Sequence, residues 1–147
     1  MKLLSEIKLP ARLENLGSLL KTIISTASGE GFSGPRLNHI EITAEEAIVN
    51  VFNYAYPEGN GDVEVRCKED DDSFIIEIVD SGVPFDVTSL AEPDTTATLS
   101  EREIGGLGIF FMKKMMDDVR YSRENGRNVL CLVLNRKGKG GSSAGQV

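Results

Sequence analysis

The pairing of short strand-like segments along the chain limits the possible folds more than any other feature of the sequence. Such segments occur as two neighbouring pairs, 62–68 with 74–79 and 118–122 with 128–135. The acidic turn 69–72 joins the first pair, and Asn125-Gly126, a frequent hairpin turn, joins the second. Strands joined by short turns pair antiparallel, so a fold in which strands and helices strictly alternate is excluded.

Helical periodicity is found in three places. Apolar residues recur at i, i+3 and i+4 from Leu13 to about Ser28, and a second helical pattern runs from Gly34-Pro35 to about Tyr56. A third helix is predicted from about residues 106–108 to about Asp117. The loosely alternating segment 3–9 ends at a proline and is typical of a short edge strand.

This order of elements predicts an α+β fold, a two-layer sandwich in which a mixed, mostly antiparallel sheet is covered on one face by helices. We expect a single domain over residues 1–137 and a disordered Gly/Ser-rich tail over 138–147. Residues 81–104 have no clear period and are rich in Gly, Pro, Ser and Thr. Such a long loop in a compact domain is either a functional lid or disordered.

Composition excludes several classes of protein. A net charge of −7 disfavours direct nucleic-acid binding, which requires clustered Lys and Arg. No apolar run approaches the length of a membrane span, and Glu6 and Lys8 interrupt the start of a signal peptide, so we expect a cytoplasmic protein. Cys67 and Cys131 lie in strand-like segments and are interpreted as structural free thiols.

One face of the second helix carries polar side chains that could bind a metal. Glu46, Asn50 and Asn53 fall within about a 60° arc at 100° per residue. Glu46 and Asn50 are one turn apart and offer a carboxylate and an amide oxygen, the hard ligands that Mg²⁺ accepts beside phosphates and water. An ordinary solvated helix face is the alternative.

A second candidate site follows the apolar segment 74–79. Asp80 could accept a hydrogen bond from the amino group of a base, and Gly82 would let a ring approach the backbone. The alternative is a type I turn that begins with Asp.

A third candidate is the glycine-rich run Gly105, Gly106, Leu107 and Gly108, which precedes the third helix. Backbone N–H groups at a helix N-terminus favour phosphate. The run lacks the Gly-Lys-Ser/Thr ending of a P-loop and the preceding strand of a Rossmann unit, so these nucleotide folds are excluded.

In this order and spacing, the three features resemble the motifs of the GHKL ATPases, the superfamily of gyrase, heat-shock chaperone and histidine-kinase ATP domains with the Bergerat-type fold. Glu46 to Asn50 is similar to the N box, Asp80 to Gly82 to the first glycine box, and Gly105 to Gly108 to the second. Within the superfamily, residues 105–121 most resemble the stand-alone anti-sigma-factor serine kinases. The resemblance covers about residues 3–135.

The resemblance implies a role for each motif residue. Glu46 would be the general base, Asn50 the Mg²⁺ ligand and Asp80 the partner of the adenine amino group. The other nucleotide-binding residues would be Asn53, Gly82, Arg102, Gly105, Gly106, Leu107 and Gly108. The chain departs from the family pattern at Tyr54, where the family often has His, at Pro84, where it often has Gly, and at Arg127-Asn128, where its last hairpin is Thr-rich.

The resemblance also implies an activity: an ATP- and Mg²⁺-dependent serine protein kinase that acts as an anti-sigma factor. Its partners would be a sigma factor and an anti-anti-sigma antagonist, which it phosphorylates, and it would form a homodimer. The alternative is a module that uses ATP to gate protein binding and transfers no phosphate. A histidine kinase is disfavoured because His39 has no separate dimerising helical hairpin around it.

Overall fold

The computed structural model of the protein describes residues 1–89 and 112–136. Its strands are β1 (Lys2–Pro10), β2 (Asp62–Glu69), β3 (Ser73–Asp80), β4 (Asp118–Glu124) and β5 (Arg127–Asn135). Its helices are α1 (Leu16–Gly29) and α2 (Gly34–Tyr54), with short 3₁₀ turns at Leu13–Asn15 and Val87–Ser89. Residues 112–115 are also helical.

The five strands form one sheet in the order β1-β2-β3-β5-β4. Every pairing in the described part of the chain is antiparallel, so the expected antiparallel character is complete there. β1 lies at the edge, as predicted, and β3 at the centre. The hairpin β4–β5 turns at Asn125-Gly126, where both residues have positive φ as a tight hairpin turn requires.

The two helices cover one face of the sheet, which confirms the predicted α+β sandwich. The core lies between the layers, where residues from α1 and α2 meet the inward side chains of β2 and β3. Its fully buried members include Leu19, Ile23, Ile40, Ile48, Val65, Cys67, Ile76 and Ile78. On the opposite face of the sheet, Arg66 contacts Glu64, Glu6 and Glu77.

The predicted boundaries differ from the structure by small amounts. The first helical pattern begins as a 3₁₀ turn, and α2 ends at Tyr54, about two residues earlier than expected. Both cysteines are free thiols, as predicted. No helix within residues 1–89 and 112–136 has the length and apolarity needed to cross a membrane.

Several sequence predictions lie outside the described residues. These are most of the proposed lid, the start of the third helix, the tail, and the candidate ligands Arg102, Gly105, Gly106, Leu107 and Gly108.

Candidate nucleotide-binding site

Asp80 is a buried carboxylate at the last position of the central strand β3, with 4% of its surface exposed. Its Oδ1 accepts hydrogen bonds from the backbone N–H of Gly82 at 2.9 Å and from the side-chain amide of Asn128 at 2.8 Å. Its Oδ2 has no hydrogen-bond partner among the described residues. A buried charge with one oxygen held and the other open can receive a donor from a ligand.

Asn128 holds this carboxylate in place. It lies opposite Asp80 in the register of β3 and β5 and is 3% exposed. Its Nδ2 donates to Asp80 and to the carbonyl of Val83, both at 2.8 Å. Its Oδ1 accepts bonds from Tyr121 Oη, the backbone N–H of Phe85 and Arg123 Nη1. Asn128 therefore ties together the end of β3, the loop after it and the end of β4.

Sequence reasoning marked Asn128 only as a departure from the family pattern. The signal that could have found it is the strand register. Two strands that pair antiparallel, one ending in Asp80 and the other starting near Asn128, bring these side chains together on one face.

Gly82 joins the loop after β3 to the end of α2. A Cβ on Gly82 would lie 2.0 Å from the carbonyl oxygen of Ala55, so only glycine fits. The next residue, Val83, donates its N–H to that same carbonyl at 2.8 Å. The missing side chain therefore allows a close approach of the protein's own backbone at Ala55, directly after α2.

Tyr56 also holds the loop after β3 in place, by linking it to the start of β2. Its hydroxyl donates to the carbonyl of Asp62 at 2.6 Å and accepts from the N–H of Ser81 at 2.8 Å. Burial raises the pKa of Tyr56 above its usual value, so this hydroxyl keeps its proton.

The polar residues predicted to share one face of α2 differ in how far the fold buries them. Asn50 is 5% exposed, and its side chain has no hydrogen-bond partner among the described residues. Glu46 is partly buried, whereas Asn53 is exposed. Burial, and then the neighbouring carboxylate of Glu45, raise the pKa of Glu46 above its usual value. Glu46 and Asn50 therefore face the protein side of the helix, and Asn53 faces solvent.

A small cavity of about 20 Å³ separates α2 from the ends of β3 and β5. Asp80 and Asn128 supply its main polar groups, and its other walls are Ala47, Val51, Ile78, Phe85, Val87, Tyr121 and Leu130. Glu46 and Asn50 do not line this cavity; they are the sequence neighbours of Ala47 and Val51, about 100° further round α2.

This cavity has room for about one water molecule, so an adenine base would enter it only if its walls moved apart. Asp80 also borders an open groove of about 390 Å³, together with Tyr56, Ser81 and Arg127. The ring of Phe85 packs on Tyr54 with 4.9 Å between centroids. A larger open groove of about 560 Å³ lies at the other end of the sheet beside Lys2, Glu69 and Arg136. Its walls are mostly charged, and it contains none of the motif residues.

The residues present fit a nucleotide-borne metal better than a metal held by protein alone. The described part of the chain contains no cluster of three or more His, Cys, Asp or Glu that could hold an ion. The unpartnered, buried amide of Asn50 is a single oxygen ligand. Mg²⁺ accepts such a ligand when phosphates and water complete its coordination.

The chain is similar to known proteins over most of its length. Residues 9–134 match the model of the histidine kinase-like ATPase domain family. The chain is 31% identical over 129 residues to the serine-protein kinase RsbW of Bacillus subtilis, with 84% of this chain and 81% of that protein covered. It is 33% identical over 142 residues to the protein of the same name from Bacillus pumilus, with 91% and 88% covered.

Proposed function

Because the chain belongs to the histidine kinase-like ATPase domain family and to the family of RsbW serine-protein kinases, we propose that it transfers the γ-phosphate of ATP to a serine of a partner protein. The observation that carries this proposal is the state of Asp80. Its Oδ1 accepts hydrogen bonds from Gly82 and Asn128, its Oδ2 has no hydrogen-bond partner among the described residues, and the residue lines a small cavity with mostly apolar walls. An exocyclic amino group, such as that of adenine, is the donor that suits this oxygen.

We assign Asn50 to the Mg²⁺ that accompanies ATP. Mg²⁺ supplies charge neutralisation on the phosphates during transfer. Asn50 is suited to this task because its amide is buried and lacks another partner in the described residues. Exposed Asn53 is a weaker candidate, and we place it at the entrance to the site.

Glu46 is the proposed general base. It lies one turn before Asn50 on α2, and its raised pKa brings it nearer to neutral pH, where a carboxylate is a better proton acceptor. Its task would be to accept the proton of the partner serine as the serine oxygen attacks the γ-phosphorus. The bond between the γ-phosphorus and the bridging oxygen of ADP breaks in the same step.

The second glycine box and Arg102 complete the proposal from the sequence. Gly105, Gly106, Leu107 and Gly108 would bind phosphate through backbone N–H groups, and residues from about Asp86 to Ile104 would cover the nucleotide as a lid. The described flanks of this region support such an arrangement, because Lys113 Nζ donates to the carbonyl of Thr88 at 3.2 Å.

For partners we propose a sigma factor, which the protein sequesters, and an anti-anti-sigma antagonist, which it phosphorylates. We also propose a homodimer in the cytoplasm, without direct contact with nucleic acid. The acidic net charge of −7 supports the last point.

The decisive experiment incubates the protein with γ-labelled ATP, Mg²⁺ and a candidate antagonist domain. We expect label on the antagonist and its loss with Glu46→Gln, by roughly 10²- to 10⁴-fold under single-turnover conditions. Glu41→Gln, at an exposed position of the same helix, is the matched control and should transfer at the wild-type rate.

An unchanged rate for Glu46→Gln would show that another group is the base. ATP binding without any transfer would instead establish the module that gates protein binding with ATP. Asn50→Ala should differ from both, because it removes the metal ligand and weakens Mg-ATP binding itself.

A further inference from the structure

The segment that follows the second glycine motif is attached to α2 at two points. Thr43, which is 2% exposed on α2, points its hydroxyl at the sulfur of Met115 at 3.8 Å. Arg36, in the first turns of α2, pairs with Asp117 at 3.6 Å. In the same segment, Met112 and Met116 are fully buried in the core. Residues 112–117 are therefore packed along the N-terminal half of α2.

The pair of Arg36 and Asp117 is more constrained than an ordinary surface ion pair. Arg36 Nη2 also donates to the carbonyl of Asn135 at 2.8 Å, and its guanidinium lies 4.8 Å from the centre of the Phe32 ring. The side chain of Asp117 is 9% exposed and accepts the N–H of Asn135 at 2.7 Å. By contrast, both members of the pair Arg120 and Asp118 are largely exposed, at 71% and 45%.

The location of this pair matters because it joins α2 to the segment that follows the glycine-rich motif in sequence. α2 carries Glu46 and Asn50, and the segment at 112–117 directly follows the phosphate-binding candidates in sequence. Arg36 is about 21 Å from Asn50 along the helix at 1.5 Å per residue. A helix is stiff over this length, so a change in the tilt of α2 at Arg36 displaces Asn50 at the other end. Misplacement by about 1 Å in a phosphoryl-transfer site can cost 10²-fold in rate.

We propose that Arg36 is a positioning residue, which through Asp117 sets the alignment of the metal-binding helix α2 with the segment that follows the glycine-rich motif. It acts at the end of the domain opposite Asp80 and touches neither nucleotide nor partner serine. This inference rests on the proposed ATP-dependent function.

The test compares Arg36→Gln with Arg136→Gln. Arg136 is a matched control because it lies at the same end of the sheet, and its side chain is 25% exposed against 33% for Arg36. Arg136 binds Glu30 and Glu69 and does not bridge α2 to residues 112–117. For each variant we would measure the melting temperature, the Kd for Mg-ATP and the single-turnover rate of transfer, all well below the melting transition.

We expect Arg36→Gln to weaken Mg-ATP binding or slow transfer by roughly 3- to 30-fold, the range in which remote residues modulate coupling. Arg136→Gln should lower the melting temperature yet leave both values within about twofold. Arg36→Lys, which keeps the charge, should recover part of the loss. Adding Asp117→Asn to Arg36→Gln should raise the Kd for Mg-ATP little further, since each change breaks the Arg36–Asp117 contact and an Asn oxygen can still accept the N–H of Asn135.

Equal effects of Arg36→Gln and Arg136→Gln on Kd and rate would overturn the inference, as would an Arg36→Gln protein that matches wild type in both. Absence of Mg-ATP binding in the wild-type protein would instead contradict the proposed function, so the two failures can be told apart.

Discussion

At the scale of single residues, Asp80 shows how the fold divides one carboxylate between two tasks. Its Oδ1 is used by the protein, since Gly82 and Asn128 both donate to it. Its Oδ2 is the oxygen that a ligand would meet. The bond from Gly82, two residues on, is the contact that the turn interpretation predicts, and the bond from Asn128 adds a partner on a distant strand that a turn alone does not need.

Replacement of Asp80 by Asn should weaken ATP binding by roughly 10- to 100-fold, the usual worth of a hydrogen bond to a charged group. The reason is that the amide offers at most one acceptor oxygen, which Gly82 and Asn128 already use. Isothermal titration calorimetry with ATP and with GTP would measure the change in Kd. Asp62→Asn, at an exposed position of β2, is the control and should bind as wild type does.

The burial of Glu46 should make the stability of the protein depend on pH. Because its folded-state pKa is raised by burial and by Glu45, the folded protein holds this proton more tightly than the unfolded chain. The stability gained in this way is fully present below the unfolded pKa and is lost as pH rises through the raised value. The Glu46→Gln variant does not lose stability in this way, because a glutamine side chain does not titrate.

The melting temperature of Glu46→Gln minus that of wild type should therefore become more positive as pH rises from about 4.3, the ordinary pKa of a Glu, towards neutrality. Thermal melts without nucleotide, at several pH values, would measure the difference. A difference that stays constant over this window would contradict the desolvated position of Glu46.

At the scale of elements, the sequence predicted the strands and helices to within a few residues because their periodicities are regular. It also identified Asp80 and the polar face of α2. It could not separate Asn50 from Asn53, since both lie in one narrow arc and only the packing of α2 decides which is buried. It missed Asn128 because the residue acts through pairing of strands that are distant in sequence.

The contact between the loop after β3 and the end of α2 gives an element-scale prediction. Gly82→Ala should lower stability and weaken ATP binding, because the new methyl group would meet the Ala55 carbonyl and push the loop from the helix. Overpacking of this type costs about 1–3 kcal/mol. Chemical denaturation and ATP titration would measure both effects.

Gly17→Ala is the matched control for that change. Gly17 lies in α1, is exposed, and has nothing within 4 Å of an added Cβ. Alanine is the better helix former, so this variant should be about 0.5–1 kcal/mol more stable. If both variants behaved alike, close packing at Gly82 would not be the reason for the glycine.

At the scale of the whole molecule, ligand binding should appear as added stability. At about 100 times its Kd, Mg-ATP adds roughly 2.7 kcal/mol, which corresponds to a rise of about 5–10 °C in melting temperature for a domain of this size. GTP should raise it much less, because guanine presents a carbonyl where adenine presents an amino group, opposite Asp80. Equal shifts with both nucleotides would contradict the role of Asp80 in base selection.

The hydrogen bond between Lys113 and Thr88 has a consequence for how this domain tolerates changes of length. It joins the short 3₁₀ turn at Val87–Ser89 to the helical segment 112–115, two points that are 25 residues apart in sequence. A stretch whose ends are already joined can be lengthened at little thermodynamic cost, about 0.6 kcal/mol for each doubling. Insertions between Thr88 and Arg102, upstream of the proposed phosphate-binding residues, should therefore cost the fold little stability, and thermal melts of such variants would measure the cost.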